Sequence, residues 1–542
     1  MSATYMSATN TDPEQHESSP AASPAQEAAG MTSSLAEIHG NNEPYSIFDN
    51  RQRALIVFVA SVAATFSGFA SNIYFPALPT LAKDFNVSSE LINLTVTTYL
   101  ILQGLAPSLW GPISDARGRR VAYIGTFCIF LAACIGLALS RNYATLIVLR
   151  GLQSAGSAST IAVGSGVVGD VSTRANRGGL MAMFQAGLLV PVAVGPIIGG
   201  ALAGSSLGWR SIFWFLAIYS GVFLMFLIAI LPETLRALVG NGGRDTKTLG
   251  LFARYPLRLY QKYTKIPFTA AAALSSGGKN SNNQKKIDVL APMRILFSKQ
   301  AGPVVLFLAI YYAGWQLCIT AMSTLFQSEY GLSETHIGLT FIANGVGSIV
   351  GTLIAGKLLD MDYRRVKEAA GTTDRDGSST TTGGDSVSLE KARLRLLPIF
   401  AALQCGSLLM FGWAIDRHVH IAAPIVSTFI TGWTAITTQT AISTYLVDVF
   451  HAGHHAAAAG ASINLARCLL AAGGTTFIMP LINRIGTGLA FTVCAAIQVL
   501  ALTGLAIQWR YGAAWREEAR RKQIKHEEDQ ARAEQGVQEE EK

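Results

Sequence analysis

Twelve stretches of predominantly apolar residues recur along this chain, near 53–75, 92–111, 121–139, 144–166, 180–203, 211–231, 302–325, 337–358, 396–415, 420–445, 458–480 and 487–508. Crossing a bilayer's hydrocarbon core takes a helix of about 20 such residues. Only 14% of the 542 residues are charged, against about a quarter in soluble domains, too few to coat a water-soluble globule of this size. The spacing therefore predicts an all-α membrane protein of 12 transmembrane helices, six and six, parted by a polar, basic stretch over about 233–297. The 52 glycines fit this reading, because helices packed in lipid favour small residues that let backbones approach.

Residues 1–46 are rich in Ser, Ala, Thr, Glu and Pro and read as a disordered tail. They lack an apolar run followed by a small-residue cleavage site, so the first helix is expected to direct insertion. The domain plan is a tail over 1–46, a six-helix bundle over 47–235, a linker over 236–296, a second bundle over 297–510 with a low-complexity loop at 371–389, and a charged tail over 511–542 that reads as a solvated helix. With the N-terminus in the cytoplasm, external loops hold only Lys83, Arg141, Arg210, Arg417 and Arg484, and Arg150 and Arg467 lie within spans. The remaining basic residues fall on the cytoplasmic side, so both termini are expected there.

The formal net charge of +8 sits in short loops beside apolar segments, which argues for topology and against nucleic acid. Cys128, Cys134, Cys318, Cys405, Cys468 and Cys494 all fall in apolar stretches without a CxxC pair, as small buried hydrophobes do. No metal-ligand cluster, HExxH, phosphate-binding glycine loop or nucleophile elbow is present, so no cofactor is expected and an enzyme is disfavoured. Asn86-Val-Ser and Asn93-Leu-Thr are glycosylation sequons. Asn86 is the candidate acceptor, Asn93 lying too close to the membrane.

Chemistry concentrates in a few places. Between the second and third segments stands Gly111-Pro-Ile-Ser-Asp115-Ala-Arg117-Gly118-Arg119-Arg120. Gly111 permits close helix contact and Gly118 a tight turn. Asp115 suits the positive end of a helix in the other half, and Arg119 and Arg120 suit acidic groups at helix ends, such as Asp170. A weaker echo, Gly356-Lys357-Leu-Leu-Asp360-Met-Asp362-Tyr-Arg364-Arg365, follows the eighth segment, as an internal duplication predicts. Arg150 and Arg467 are costly inside apolar spans, by about 2.5 kcal/mol or more each, and are expected to face a cavity. The fifth segment carries Gly187 and then Gly195-Pro196-Ile-Ile-Gly199-Gly200. There a proline kink and a GxxxG face would allow tight packing.

The 111–120 loop resembles the signature loop of the major facilitator superfamily. Arg150-Gly151 resembles its fourth-helix motif, tied to proton coupling, and the fifth-segment glycines resemble its antiporter motif, with Pro191 where an upstream Gly would fall. Asn72-Ile-Tyr74-Phe75-Pro76, Leu231-Pro-Glu-Thr-Leu-Arg236, Tyr445-Leu-Val-Asp448 and Asn464-Leu-Ala-Arg467-Cys468 are similar to the fungal twelve-helix drug:proton antiporters, closest to the quinidine-resistance and citrate-exporter branch. The resemblance implies the major facilitator fold, two pseudo-symmetric six-helix bundles, and a monomeric plasma-membrane carrier. It also implies export of a small organic compound by proton antiport with alternating access.

No carboxylate stands in the middle of any span. Asp170 and Asp448, the coupling candidates alongside Arg150 and Arg467, lie at span ends. A cavity whose buried charges are both positive suits an anionic or amphiphilic cargo. Candidate cavity residues are Asn72, Tyr74, Gln185, Tyr312, Trp315, Gln316, Asn344, Gln404 and Asn464, of which Tyr312, Trp315 and Gln316 share a helix face. Drug, organic anion and secondary metabolite remain open as cargo. Uptake and a non-transporting sensor remain as alternatives.

Overall fold

The structure is a computed structural model that describes residues 46, 48–172, 177–240, 291–373, 393–450 and 456–540. Among these, ten helices are long and apolar enough to cross a membrane. Two more, Ser89–Arg117 and Ala422–Val449, have 29 and 28 residues. Their length suffices, but Asn, Gln and repeated Thr make them less apolar. Together they give twelve spans, each half contributing six.

The spans are Asn50–Asn72, continued by a 3-10 turn Phe75–Ala77 and Leu78–Asp84; Ser89–Arg117; Arg119–Ala138; Tyr143–Ser157 with Ser159–Val171; Arg177–Ala203; Arg210–Ile230; Gly302–Tyr330; Glu334–Thr373; Leu397–Asp416; Ala422–Val449; Ala456–Ile485; and Thr487–Glu540. The fourth is thus broken at Ala158. The twelfth runs on well past the apolar segment, so the 511–542 tail begins as the same helix. Sequence chemistry sets several ends. Ser88 and Asn142 cap the second and fourth spans, accepting from Leu91 N (3.3 Å) and Thr145 N (2.8 Å). Gly331, at φ +64°, closes the seventh in the left-handed conformation. The tail over 1–45, most of the 236–296 linker and nearly all of the 371–389 loop lie outside the described residues. For the 356–365 echo the backbone is helical, and the side chains of its Gly356, Lys357, Asp360, Asp362, Arg364 and Arg365 lie outside the description too.

Packing repeats between halves. In the first half, span one packs on five and four, two on four, and three on four and six; in the second, seven packs on eleven and ten, eight on ten, and nine on ten and twelve. Each contact maps onto its partner by adding six, the pseudo-symmetry of a duplicated bundle. The halves meet along two seams, second on eleventh and fifth on eighth. Large apolar side chains such as Phe58, Val148, Ile218, Met225, Leu353, Phe477 and Leu500 are more than half exposed, the surface a lipid environment covers.

The two ends differ. The end bearing Arg119 is called here the arginine end, and the end bearing Thr80 and Glu334 the far end. At the far end Thr80 Oγ1 donates to Glu334 Oε1 (2.5 Å), Asn483 Nδ2 to Glu90 Oε1 (3.0 Å), and Phe75 stacks on Phe341 with ring centroids 6.0 Å apart. One hydrophobic core runs across both halves here, whereas a separate cluster including Val304, Phe307, Leu397, Ile442 and Leu446 occupies the arginine end of the second half alone. The described cross-half contacts thus gather from mid-span to the far end.

Candidate functional site

The 111–120 loop is held from within its own half. Gly118 has φ +109° and caps the third span, and a Cβ there would run into the Glu233 carboxylate. That carboxylate accepts from Arg119 N (2.9 Å), Arg120 N (3.1 Å), Thr234 N (3.0 Å) and Leu235 N (2.9 Å). An anion on the first N–H groups of a helix is favoured by unpaired donors and by the dipole. Arg119 pairs with Asp170 (2.9 Å) and Asp115 (2.6 Å). Arg120 is buried and donates to the carbonyls of Leu231 and Ile228 (2.6 Å to the latter) at the end of the sixth span. One expectation is therefore corrected. Asp115 meets Arg119 rather than a helix of the other half, because the described cross-half contacts lie away from this end. Arg120 binds helix C-terminal carbonyls, which likewise favour a cation.

The second half carries a counterpart. Arg393 Nε pairs with Asp448 Oδ2 at 3.0 Å. Asp448 ends the tenth span as Asp170 ends the fourth, and Arg393 precedes the ninth span as Arg119 opens the third. Sequence reasoning placed the second-half echo at 356–365 and missed Arg393, because the low-complexity insertion separates it from that motif.

Arg150 is buried with no ion pair among the described residues. Its guanidinium lies 4.0 Å from the Tyr74 ring centroid and 4.5 Å from that of Tyr99, and it donates to Ala70 O (3.2 Å) and Gln153 Oε1 (2.6 Å). Two π faces replace a counter-ion. Arg150 is enclosed rather than open to a cavity. Tyr74, bonded to Thr95 Oγ1 at 2.8 Å, belongs to this enclosure rather than to a cavity wall.

Arg467 is only partly buried. It lies 4.6 Å from the Tyr312 ring centroid and donates Nη2 to Asn464 Oδ1 at 2.8 Å, again with no ion pair among the described residues. Tyr312 meets Trp315 edge-on at 5.3 Å, and Trp315 Nε1 donates to Asn344 Oδ1 at 2.8 Å. Asn464 Nδ2 reaches the first half at Gln103 O, 2.9 Å away. The seventh, eighth and eleventh spans thereby bring Tyr312, Trp315, Asn344, Asn464 and Arg467 together against the second. Gln316 lies one turn from Tyr312 on the same helix face, and both Gln316 Nε2 and Asn344 Nδ2 are buried donors without a partner among the described residues. These two donors suit an acceptor-rich ligand.

Gln404 is not a cavity residue: it is fully buried inside the second bundle, donating to Tyr311 O at 2.7 Å. Gln185 is exposed. Asn72 is half-buried and donates to Gly68 O of its own helix at 2.8 Å. Of the cysteines, Cys128 is exposed and Cys494 half-buried, on surfaces that an apolar stretch also presents to lipid. Asn93 is fully buried and Asn86 exposed.

The fifth span's glycines are contact points. A Cβ on Gly187 would strike Ser61, one on Gly199 the Ile73 carbonyl, and one on Gly200 would stand 2.5 Å from Glu334 O; Gly195 faces Asn72 Cβ at 3.3 Å. Pro196 O lies beside Gly338. The span is therefore wedged between the first and eighth. Gly199→Val is expected to prevent that approach and sharply lower the yield of folded protein, measured by fluorescence-detected size exclusion, whereas Gly111→Ala, with nothing within 4 Å of its Cβ, should leave it unchanged.

Comparison with known proteins agrees with this architecture. The family model described as Major Facilitator Superfamily matches residues 60–475. Citrate exporter 1 of Aspergillus niger is 35% identical over 501 residues, covering 91% of this chain and 92% of that protein. The MFS antiporter QDR2 of Candida albicans is 35% identical over 467 residues, covering 84% and 88%. Among solved structures, the inward open conformation of the xylose transporter XylE from E. coli aligns with a TM-score of 0.59 at 17% identity, covering 83% of this chain and 95% of that one. Twelve spans in two pseudo-symmetric halves, the loop built on Gly118 and relatives matched over nearly their whole length converge on one conclusion: the chain belongs to the major facilitator superfamily and is a multi-pass membrane transporter rather than an enzyme.

Proposed function

We propose that the protein exports an organic anion from the cytoplasm by alternating access. The observation that carries this reading is Arg467, a mid-span cation without a carboxylate partner among the described residues, partly exposed and grouped through Tyr312 and Trp315 with Asn344, whose Nδ2 is an unpaired donor. A carboxylate arriving there supplies the missing counter-ion and accepts those bonds. The relatives named for citrate export and antiport, at 35% identity, support the direction and the cargo class. The distribution of basic residues supports placing the arginine end in the cytoplasm, which makes the described conformation inward-facing. In this reading the bundles 47–235 and 297–510 rock about the two seams in the plasma membrane, and a monomer suffices.

Proton antiport belongs to the same proposal. With no mid-span carboxylate, Asp170 and Asp448 are the candidates to take protons, each held by an arginine at a span end.

The test is untargeted metabolomics of medium and cell extract from deletion and overexpressing cells. Export predicts that an acidic metabolite builds up inside the deletion strain and disappears from the medium. An unchanged medium together with a lost nutrient uptake would reverse the direction of transport. Separately, Asn86 stands exposed on the turn between the first two spans. Asn86→Gln is expected to abolish the mobility shift that a deglycosylase produces on a gel; a shift that persists in the variant removes Asn86 as the acceptor.

A further inference from the structure

Pro107 lies inside the second span. Proline has no N–H, so the carbonyl four residues earlier, that of Gln103, loses its helical donor in the middle of a membrane. Such a carbonyl needs a partner from a neighbouring helix. The partner is Asn464 Nδ2 of the eleventh span, at 2.9 Å, from the other half of the molecule. Gly104 makes the approach possible: a Cβ there would lie 3.1 Å from Cys468 Cβ and 3.5 Å from Leu465 O. The other end of the same amide, Oδ1, accepts from Arg467 Nη2 at 2.8 Å. Both ends of Asn464 are thus spent, so it is not free to bind cargo as the sequence suggested.

We propose that Asn464 is a positioning residue, linking the Gln103 carbonyl freed by Pro107 to the guanidinium of Arg467, so that the state of the seam between the halves sets the aim of the cavity cation. When the second and eleventh spans part, Asn464 loses the Gln103 carbonyl and its grip on Arg467 is no longer fixed. Cargo affinity then changes with the conformation, as a carrier needs if it is to bind on one side and release on the other. The cargo part of this proposal rests on the anion reading above; the seam part does not.

Cys468 reports on the seam, its Sγ lying 3.9 Å from Gln103 Oε1 and 3.8 Å from Asn464 Oδ1. The full-length protein is purified as wild type, Asn464→Ala, Pro107→Ala and the double variant. Melting temperature and N-ethylmaleimide labelling of Cys468, resolved by peptide mass spectrometry, are followed for each. Asn464→Ala should label several-fold faster and lower the Tm. The loss in Tm should be less than half as large in the Pro107→Ala background, where residue 107 supplies the Gln103 carbonyl with its own N–H. In inverted vesicles fed radiolabelled citrate, Asn464→Ala should raise KM roughly tenfold, about 1.4 kcal/mol, while the maximal rate moves less. A purely structural asparagine would reduce the amount of active protein without moving KM. Additive Tm losses, or unchanged Cys468 labelling in Asn464→Ala, overturn the link to the seam. An unchanged KM overturns the link to Arg467. If wild-type vesicles do not carry citrate, the citrate reading and with it the effect on cargo fail, while labelling and melting still decide the link to the seam.

Discussion

Arg467→Ala is expected to lower export of an anionic cargo about 100-fold, with the protein still folded and in the membrane. Truncating one partner of a desolvated charge pair costs about 2–5 kcal/mol, and about 2.7 kcal/mol corresponds to that factor. Among the described residues the side chain meets Asn464 Oδ1 and Tyr312, so removing it loosens those two contacts but opens no ion pair. The damage should therefore fall on binding rather than on folding. Arg467→Lys keeps the charge and loses the planar contact with Tyr312, because an ammonium is a point charge on a flexible stem; an intermediate defect of about tenfold is expected. Arg150→Lys makes the contrast. Arg150 is enclosed by two tyrosines with four named contacts, so its replacement should lower melting temperature as well as transport. Vesicle transport and thermal melting in parallel separate the two. Arg467→Ala vesicles that carry the anion at the wild-type rate would remove the basis of the anion reading.

The sequence carries the fold because membrane burial leaves a long signal: about 20 apolar residues per span, repeated twelve times, with basic loops between. Even the two spans that fall short in hydropathy are legible, because their interior polar residues include Thr, Asn and Gln while the charges Glu90, Asp115, Arg117 and Asp448 stand only at their ends. Sites were legible where one short motif contains all its parts. Gly118, Arg119 and Asp115 fall within five residues, and Asp170 suits Arg119 on charge alone. Contacts made through backbone atoms or across long separations were not legible. Glu233 stands in a motif noticed for its resemblance, but its bonds to Arg119 and Arg120 cross more than a hundred residues. Nothing in the sequence around Pro107 points to Asn464 as the partner of Gln103, a contact that crosses 361 residues. Gln404 and Asn344 are both buried amides in apolar spans; only the three-dimensional neighbours show that one faces Tyr311 within its bundle and the other Trp315 beside Arg467.

Glu233→Ala is expected to destabilise the first half by about 3 kcal/mol and to abolish transport. The carboxylate serves four backbone donors, two opening the third span and two in the turn after the sixth. Each buried donor left without a partner costs about 1–3 kcal/mol, partly relieved if water enters. The favourable interaction of an anion with the helix dipole is lost as well, about 0.3–1 kcal/mol. Gln at this position retains one acceptor oxygen but turns an amide donor toward donors, so Glu233→Gln should fall between wild type and Ala. Gly118→Ala attacks the same contact from the other side, forcing a side chain into a positive φ and against the Glu233 carboxylate. Because both changes break one feature, the double variant Gly118→Ala/Glu233→Ala should be little worse than the worse single one. With the cap gone, the start of the third span loosens. Arg119 can then no longer hold Asp170 at 2.9 Å, and the gate would lose its anchor before the halves ever rock. Thermal melting of detergent-purified protein, paired with vesicle transport, reads both effects. If Glu233→Ala melts and transports as wild type does, the loop is held by something other than this carboxylate, and Arg119 and Arg120 need another explanation for their placement.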